Sequence, residues 1–186
     1  MNNQGWKTLS SKTVYTSPWL SLRLDEVQLP NGSVVADYSI IELPHVATIV
    51  AVTKENSVIL VKQYRHAQKQ FLTELPAGTY NPAKETALAA ATRELQEETG
   101  YRAASMIELG KIVEYPTKQT HTVTLFLATD LTHATPIHEN QDETEDIEVI
   151  AVPFEEAITM TLDGRICVGG SVAALLLARE YLLTSR

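Results

Sequence analysis

The segment from Pro82 to Gly100 constrains this chain more than any other. Proline is pre-set for the first turn of a helix, and glycine for the left-handed residue that ends one, so the two frame a helix. Between them Leu88, Ala91, Thr92, Leu95 and Thr99 recur at helical spacing and predict a packed face. At about 100° per residue, Glu94, Glu97 and Glu98 fall together on another side. Ala87 and Ala90 share that side one or two turns earlier and are too small to cover the carboxylates. Three neighbouring carboxylates repel one another, and these stand near the helix C-terminus, where the backbone dipole disfavours negative charge. A solvated face with an i,i+4 pair of Arg93 and Glu97 is the simpler reading. It leaves the placement unexplained, whereas a hard divalent cation held by oxygen ligands accounts for it.

The rest of the chain reads as strands with a few helices. Lys12–Val27 and Ser33–Leu43 are extended stretches joined by a turn at Pro30-Asn31-Gly32. His45–Val52 and Ser57–Arg65 form a hairpin around Lys54-Glu55-Asn56, and Phe71–Leu75 is a short strand ending at Pro76-Ala77-Gly78. Ile107–Tyr115, Thr120–Thr129 and Ile147–Val152 have strand composition, while Thr132–Glu143 is a polar connection. Phe154–Asp163 and Gly170–Leu183 have helical patterning. The order is not a regular βαβ repeat, so the expected class is α+β.

Bulk properties narrow the function classes. A length of 186 residues fits one domain, or one domain with a small appendage, and 44% hydrophobic with 20% charged residues argues against disorder. The net charge of -8 argues against nucleic acid as a partner. The single cysteine, Cys167, excludes an intrachain disulfide and fits a reducing cytoplasm. Met1 to Lys7 is polar and has no apolar signal core, and the apolar runs Val46–Val52 and Val172–Ala178 are too short to span a bilayer, so no membrane association is expected. His45, His66, His121, His133 and His138 show no metal-ligand spacing, and with Cys167 they form no nucleophile–base set.

The acidic helix also carries a motif. Gly78 is followed by Glu85, then by seven residues, then by Arg93-Glu94-Leu95-Gln96-Glu97-Glu98-Thr99-Gly100 and Tyr101. This resembles the box of the Nudix hydrolase family, with two departures. Six residues rather than five separate Gly78 from Glu85, and Tyr101 stands where an aliphatic residue is common. The resemblance implies an α/β/α sandwich with a mixed central sheet and an N-terminal β-strand extension, dividing the chain into a dimerising 1–44 and a catalytic 45–186. It implies that Glu94, Glu98 and the carbonyl of Ala77 hold magnesium, or manganese in its place, with Glu97 assisting. Arg93 and Glu85 would orient those carboxylates, the usual duty of residues behind metal ligands.

Beyond the box, Gln63-Tyr64-Arg65 followed by Glu74-Leu75-Pro76-Ala77-Gly78 resembles the ADP-sugar branch of that family. There Arg65 would grip phosphate, which suits a planar guanidinium. Glu74 and Gly78 would lie against substrate. Pro116, some fifteen residues beyond the box, resembles a proline of the ADP-ribose hydrolases. The run Asp142-Glu143-Thr144-Glu145-Asp146-Ile147 resembles that branch's acidic loop, with Glu145, then Glu143, then Glu97 as the base. Trp19 and Tyr38 resemble the aromatics that sandwich adenine across a homodimer; core or interface packing is the alternative for both. The implied reaction is cleavage of ADP-ribose to AMP and ribose 5-phosphate. The rivals are the same hydrolysis of another nucleoside diphosphate sugar, such as a GDP- or ADP-hexose, and a non-hydrolytic ADP-ribose sensor.

Overall fold

The computed structural model describes residues 5–134 and 146–185. They form two compact units. The first is a three-stranded antiparallel sheet of β1 (Lys7–Thr16), β2 (Ser21–Gln28) and β3 (Val34–Glu42), joined by the segment Val113–His121. The stretch expected from Lys12 to Val27 is therefore two strands. Ser17 breaks it: its hydroxyl accepts from the backbone N–H groups of Trp19 and Leu20, both at 3.2 Å, in a side-chain-capped turn. The turn at Pro30-Asn31-Gly32 is present, with Gly32 at φ 88°. Val113–His121 docks on β3 through Ile41, whose N–H donates to the Lys118 carbonyl at 2.7 Å. The expected strand Ile107–Tyr115 accordingly ends at Ile112, and the next begins at Val123.

The second unit is built on a seven-stranded mixed sheet. Its strands are β4 (His45–Val52), β5 (Ser57–Arg65), β6 (Gln70–Glu74), β7 (Ala77–Tyr80), β8 (Tyr101–Ile112), β9 (Val123–His133) and β10 (Ile147–Pro153). β4 runs parallel to β9, and every other pairing in this sheet is antiparallel. The β4–β5 hairpin is ladder-paired only at Ala51–Ile59 and Val52–Val58. Beyond that the strands splay and β4 pairs instead with β7, so Ala77-Gly78, expected as a strand end, begins a strand.

Three helices cover this sheet: α1 (Ala87–Thr99), α2 (Phe154–Leu162) and α3 (Gly169–Thr184). Alternation along β4 sorts the core into two layers. Ala47, Ile49 and Ala51 pack with Ala90, Ala91 and Leu95 of α1. Val50 and Val52 pack with Ala157, Ile158, Ala174 and Leu175 of α2 and α3. The arrangement is the expected α+β sandwich. Full burial of one such side chain as Leu95 contributes about 1.5–3 kcal/mol.

Helix α1 begins at Ala87, five residues later than the expected start at Pro82. Thr86 decides the boundary: its hydroxyl caps the helix by accepting from Ala89 N–H at 3.2 Å. Gly100 closes the helix at φ 70°, its N–H bonded to the Gln96 carbonyl at 2.9 Å.

Candidate active site

The acidic side of α1 faces inward. Glu97 and Glu98 are 7% and 9% exposed, while Leu88, expected on the packed face, is 49% exposed and Thr92 is also exposed. The packed face is thus rotated from the one that apolar spacing marks. It runs through Ala90, Ala91 and Leu95 onto the carboxylates, because α1 rests on β4 and β7. A side that buries charge can persist only if the charges are paired or hydrogen-bonded.

They are paired by Arg93 and by β7. Arg93 Nη1 donates to Glu94 Oε1 at 2.7 Å and to Glu97 Oε2 at 2.9 Å. Its Nη2 donates to Glu85 Oε1 at 3.0 Å and to the Thr79 carbonyl at 3.4 Å. Burial alone would lower the Arg93 pKa. The hydrogen bond to Glu85, the charge of Glu94 and the bonds to Glu97 and Glu94 outweigh it, so the guanidinium is held more firmly protonated than a free arginine. Glu98 accepts a 3.0 Å hydrogen bond from the Ala77 N–H.

Gly78 is indispensable to this geometry. A Cβ on it would lie 1.8 Å from the carboxyl carbon of Glu94. The Glu94 side chain therefore crosses the α-carbon of β7 through space that only glycine leaves open. Glu94, Glu97 and Glu98 gather carboxylate oxygens beside the space that Gly78 leaves open, and carboxylates are the hard donors that a magnesium-like cation takes. Among the described residues no three His, Cys, Asp or Glu side chains are grouped so as to hold a metal ion by themselves. In this arrangement Arg93 supplies the positive charge beside Glu94 and Glu97.

The other expected residues fall as follows. Arg65 forms a bidentate pair with the buried Glu74, at 2.7 Å and 2.8 Å. Glu74 thus meets a protein partner where substrate contact was expected. Trp19 is 68% exposed in the β1–β2 turn. Tyr38 packs edge-on against Trp6 at 5.5 Å, donates its hydroxyl to the Thr117 carbonyl at 2.6 Å and carries Lys118 Nζ over its ring at 4.2 Å. Sequence reasoning missed both Trp6 and Lys118; an aromatic just before a strand was the one available signal. Pro116 lies in a turn closed by the Gln119 N–H to Tyr115 carbonyl bond. Glu143 and Glu145 lie outside the described residues.

Comparison with known proteins identifies the family. The NUDIX domain model matches residues 43–167, and that of the nucleoside diphosphate sugar hydrolase N-terminal domain matches residues 6–41. The chain is 32% identical over 154 residues to an ADP-ribose pyrophosphatase of Bacillus subtilis, covering 83% of this chain and 82% of that one. It is 31% identical over 176 residues to an ADP-ribose pyrophosphatase of Mycobacterium tuberculosis, covering 95% and 84%. A crystal structure of an ADP compounds hydrolase superposes with TM-score 0.85 at 24% identity, over 98% of this chain and 96% of that one, and shares its fold. No helix among the described residues is long and apolar enough to cross a membrane. With the box residues gathered around Gly78 and the domain model matched over two thirds of its length, this chain belongs to the Nudix hydrolase family.

Proposed function

We propose that the protein hydrolyses the diphosphate bond of ADP-ribose, giving AMP and ribose 5-phosphate. The observation that supports this best is the inward-turned trio Glu94, Glu97 and Glu98 against Gly78, with Arg93 between them. The ADP-ribose pyrophosphatase relatives support the choice of substrate. Nudix hydrolases generally use divalent metal ions. Here Glu94, Glu98 and the Ala77 carbonyl would hold magnesium, with Glu97 assisting. When bound, such an ion neutralises charge on diphosphate oxygens and lowers the pKa of water.

The chain's own residues do the rest. Arg93, held by Glu85, orients Glu94 and Glu97. Arg65, held flat by Glu74, offers its guanidinium edge to phosphate. Glu145, ahead of Glu143 and Glu97, takes the proton from the attacking water. Trp19 and Tyr38 provide aromatic surface for adenine. We assign residues 1–44 to dimerisation and 45–186 to catalysis. The dimer reading is supported by β1, exposed along all ten of its residues, including Leu9, Val14 and Tyr15. The single cysteine is consistent with a cytoplasmic protein.

The test is chromatography of purified protein with magnesium and ADP-ribose, ADP-glucose or GDP-mannose in parallel. AMP and ribose 5-phosphate appear in equal amounts from ADP-ribose, with the highest kcat/KM of the panel. A higher kcat/KM on a hexose substrate transfers the assignment to that sugar. Tight binding of ADP-ribose without AMP release makes the protein a sensor and sinks the enzymatic reading.

A further inference from the structure

β5 has two unlike faces. Lys62 and Tyr64 are exposed, whereas Val61, Gln63 and Arg65 alternate with them on the face that carries Ile59 into the core beneath α1. Gln63 is 6% exposed. Its ladder neighbours on both flanks are apolar, Leu72 on β6 and Ile147 on β10. Its carboxamide makes no side-chain hydrogen bond to the described residues, and neither amide atom is wholly sealed from solvent. A carboxamide has two donor hydrogens and an accepting oxygen, and here they stay free of partners among the described residues, at the open end of a side chain otherwise set among apolar neighbours. A Leu or Met of similar size would fit between Leu72 and Ile147 without that burden.

We propose that Gln63 is a substrate-binding residue that hydrogen-bonds a sugar hydroxyl of the nucleoside diphosphate sugar. The inference rests on the hydrolase reading above and adds a contact to it. Gln63 stands two residues before Arg65 on the same face, about 7 Å away along the strand, within the span of one such substrate. The chemistry divides between the two. A phosphate oxygen only accepts and is served by the Arg65 guanidinium. A hydroxyl both donates and accepts, as does the carboxamide. The polar group is retained in the free protein because its partner arrives with the ligand.

The test is steady-state kinetics and thermal melting of Gln63→Met, which keeps length and removes hydrogen bonding. KM for ADP-ribose rises roughly 3- to 10-fold, as expected for loss of one neutral hydrogen bond, with kcat within about twofold. The melting temperature stays at the wild-type value or rises, which a structural role for the amide would not allow. Gln63→Glu, of the same size, raises KM further by setting a negative charge beside the diphosphate, and it reports if the Met variant fails to fold. An active wild type with unchanged KM in both variants overturns the Gln63 assignment alone. So does a fall in melting temperature with KM unchanged. A folded wild type that hydrolyses no nucleoside diphosphate sugar overturns the functional reading and takes the Gln63 assignment with it.

Discussion

Helix α1 and strand β1 invert the ordinary burial rule in opposite ways. α1 buries Glu97 and Glu98 and exposes Leu88; β1 exposes Leu9, Val14 and Tyr15 along its whole length. Solvation penalises the first, since a buried carboxylate must be paired. The second leaves apolar surface wet, which single domains keep small unless something covers it. The pairing of α1 is internal: Arg93, the Ala77 N–H and the glycine gap at Gly78 together accommodate the charges. For β1 the described residues leave all ten positions exposed. One inversion is resolved inside the chain, at the candidate site. The other is the surface that the proposed dimer would cover.

The largest expected effect tests the first inversion. Glu98→Gln lowers kcat by at least about 100-fold, more than changes behind a ligand typically do, with a wild-type melting curve. A near wild-type rate would remove Glu98 from the site. Gly78→Ala comes next. The added methyl collides with Glu94, so melting shows about 1–3 kcal/mol lost and kcat/KM drops about 10- to 100-fold. An Ala variant with normal activity would show that Glu94 need not cross β7.

The second inversion is tested more gently. Tyr15→Asp in β1 raises the dimer dissociation constant about tenfold or more in sedimentation, while the protomer's melting curve barely moves. A wild type that sediments as a monomer at all concentrations breaks the comparison on the β1 side.

The smallest effect is a pH dependence confined to the N-terminal sheet. Asp25, buried on β2, accepts from Arg23 Nε at 2.9 Å, and that hydrogen bond holds its carboxyl below the ordinary value of 3.8. A depressed folded-state pKa stabilises fully above 3.8 and is lost as pH falls through the lower folded value. Trp6, edge-on against the Tyr38 that pairs with Asp25 across the ladder, reports the change by fluorescence. The Arg93 guanidinium itself adds no comparable step. A guanidinium pKa raised on folding stabilises throughout the ordinary pH range, below the pKa of free arginine.

Much of the sheet was legible because period-two alternation and turn residues are local. β4 and β5 run from His45 to Val52 and from Ser57 to Arg65, as their composition predicts. What alternation could not show is the partner of each strand: β4 leaves β5 after two ladder pairs for β7 and β9. Likewise, Ala77-Gly78 looks like a turn in sequence and becomes a strand because β4 has an open edge there. The candidate site was legible by motif, since helical spacing alone groups Glu94, Glu97 and Glu98. Which face of α1 packs was not. Leu88 and Thr92 lose to Ala90 and the glutamates because small residues let the helix approach β7.

By itself the sequence determined that an acidic helix side exists, that Gly100 can end the helix, and that the chain before Pro30-Asn31-Gly32 is extended. These are consequences of backbone geometry and residue size over a few turns. Only the tertiary structure decided that the acidic side is the buried one, that Arg93 bridges Glu85 to Glu94 and Glu97, and that Gly78 yields the space Glu94 occupies. Those outcomes depend on which distant backbone a side chain meets, and a local pattern carries no information about that.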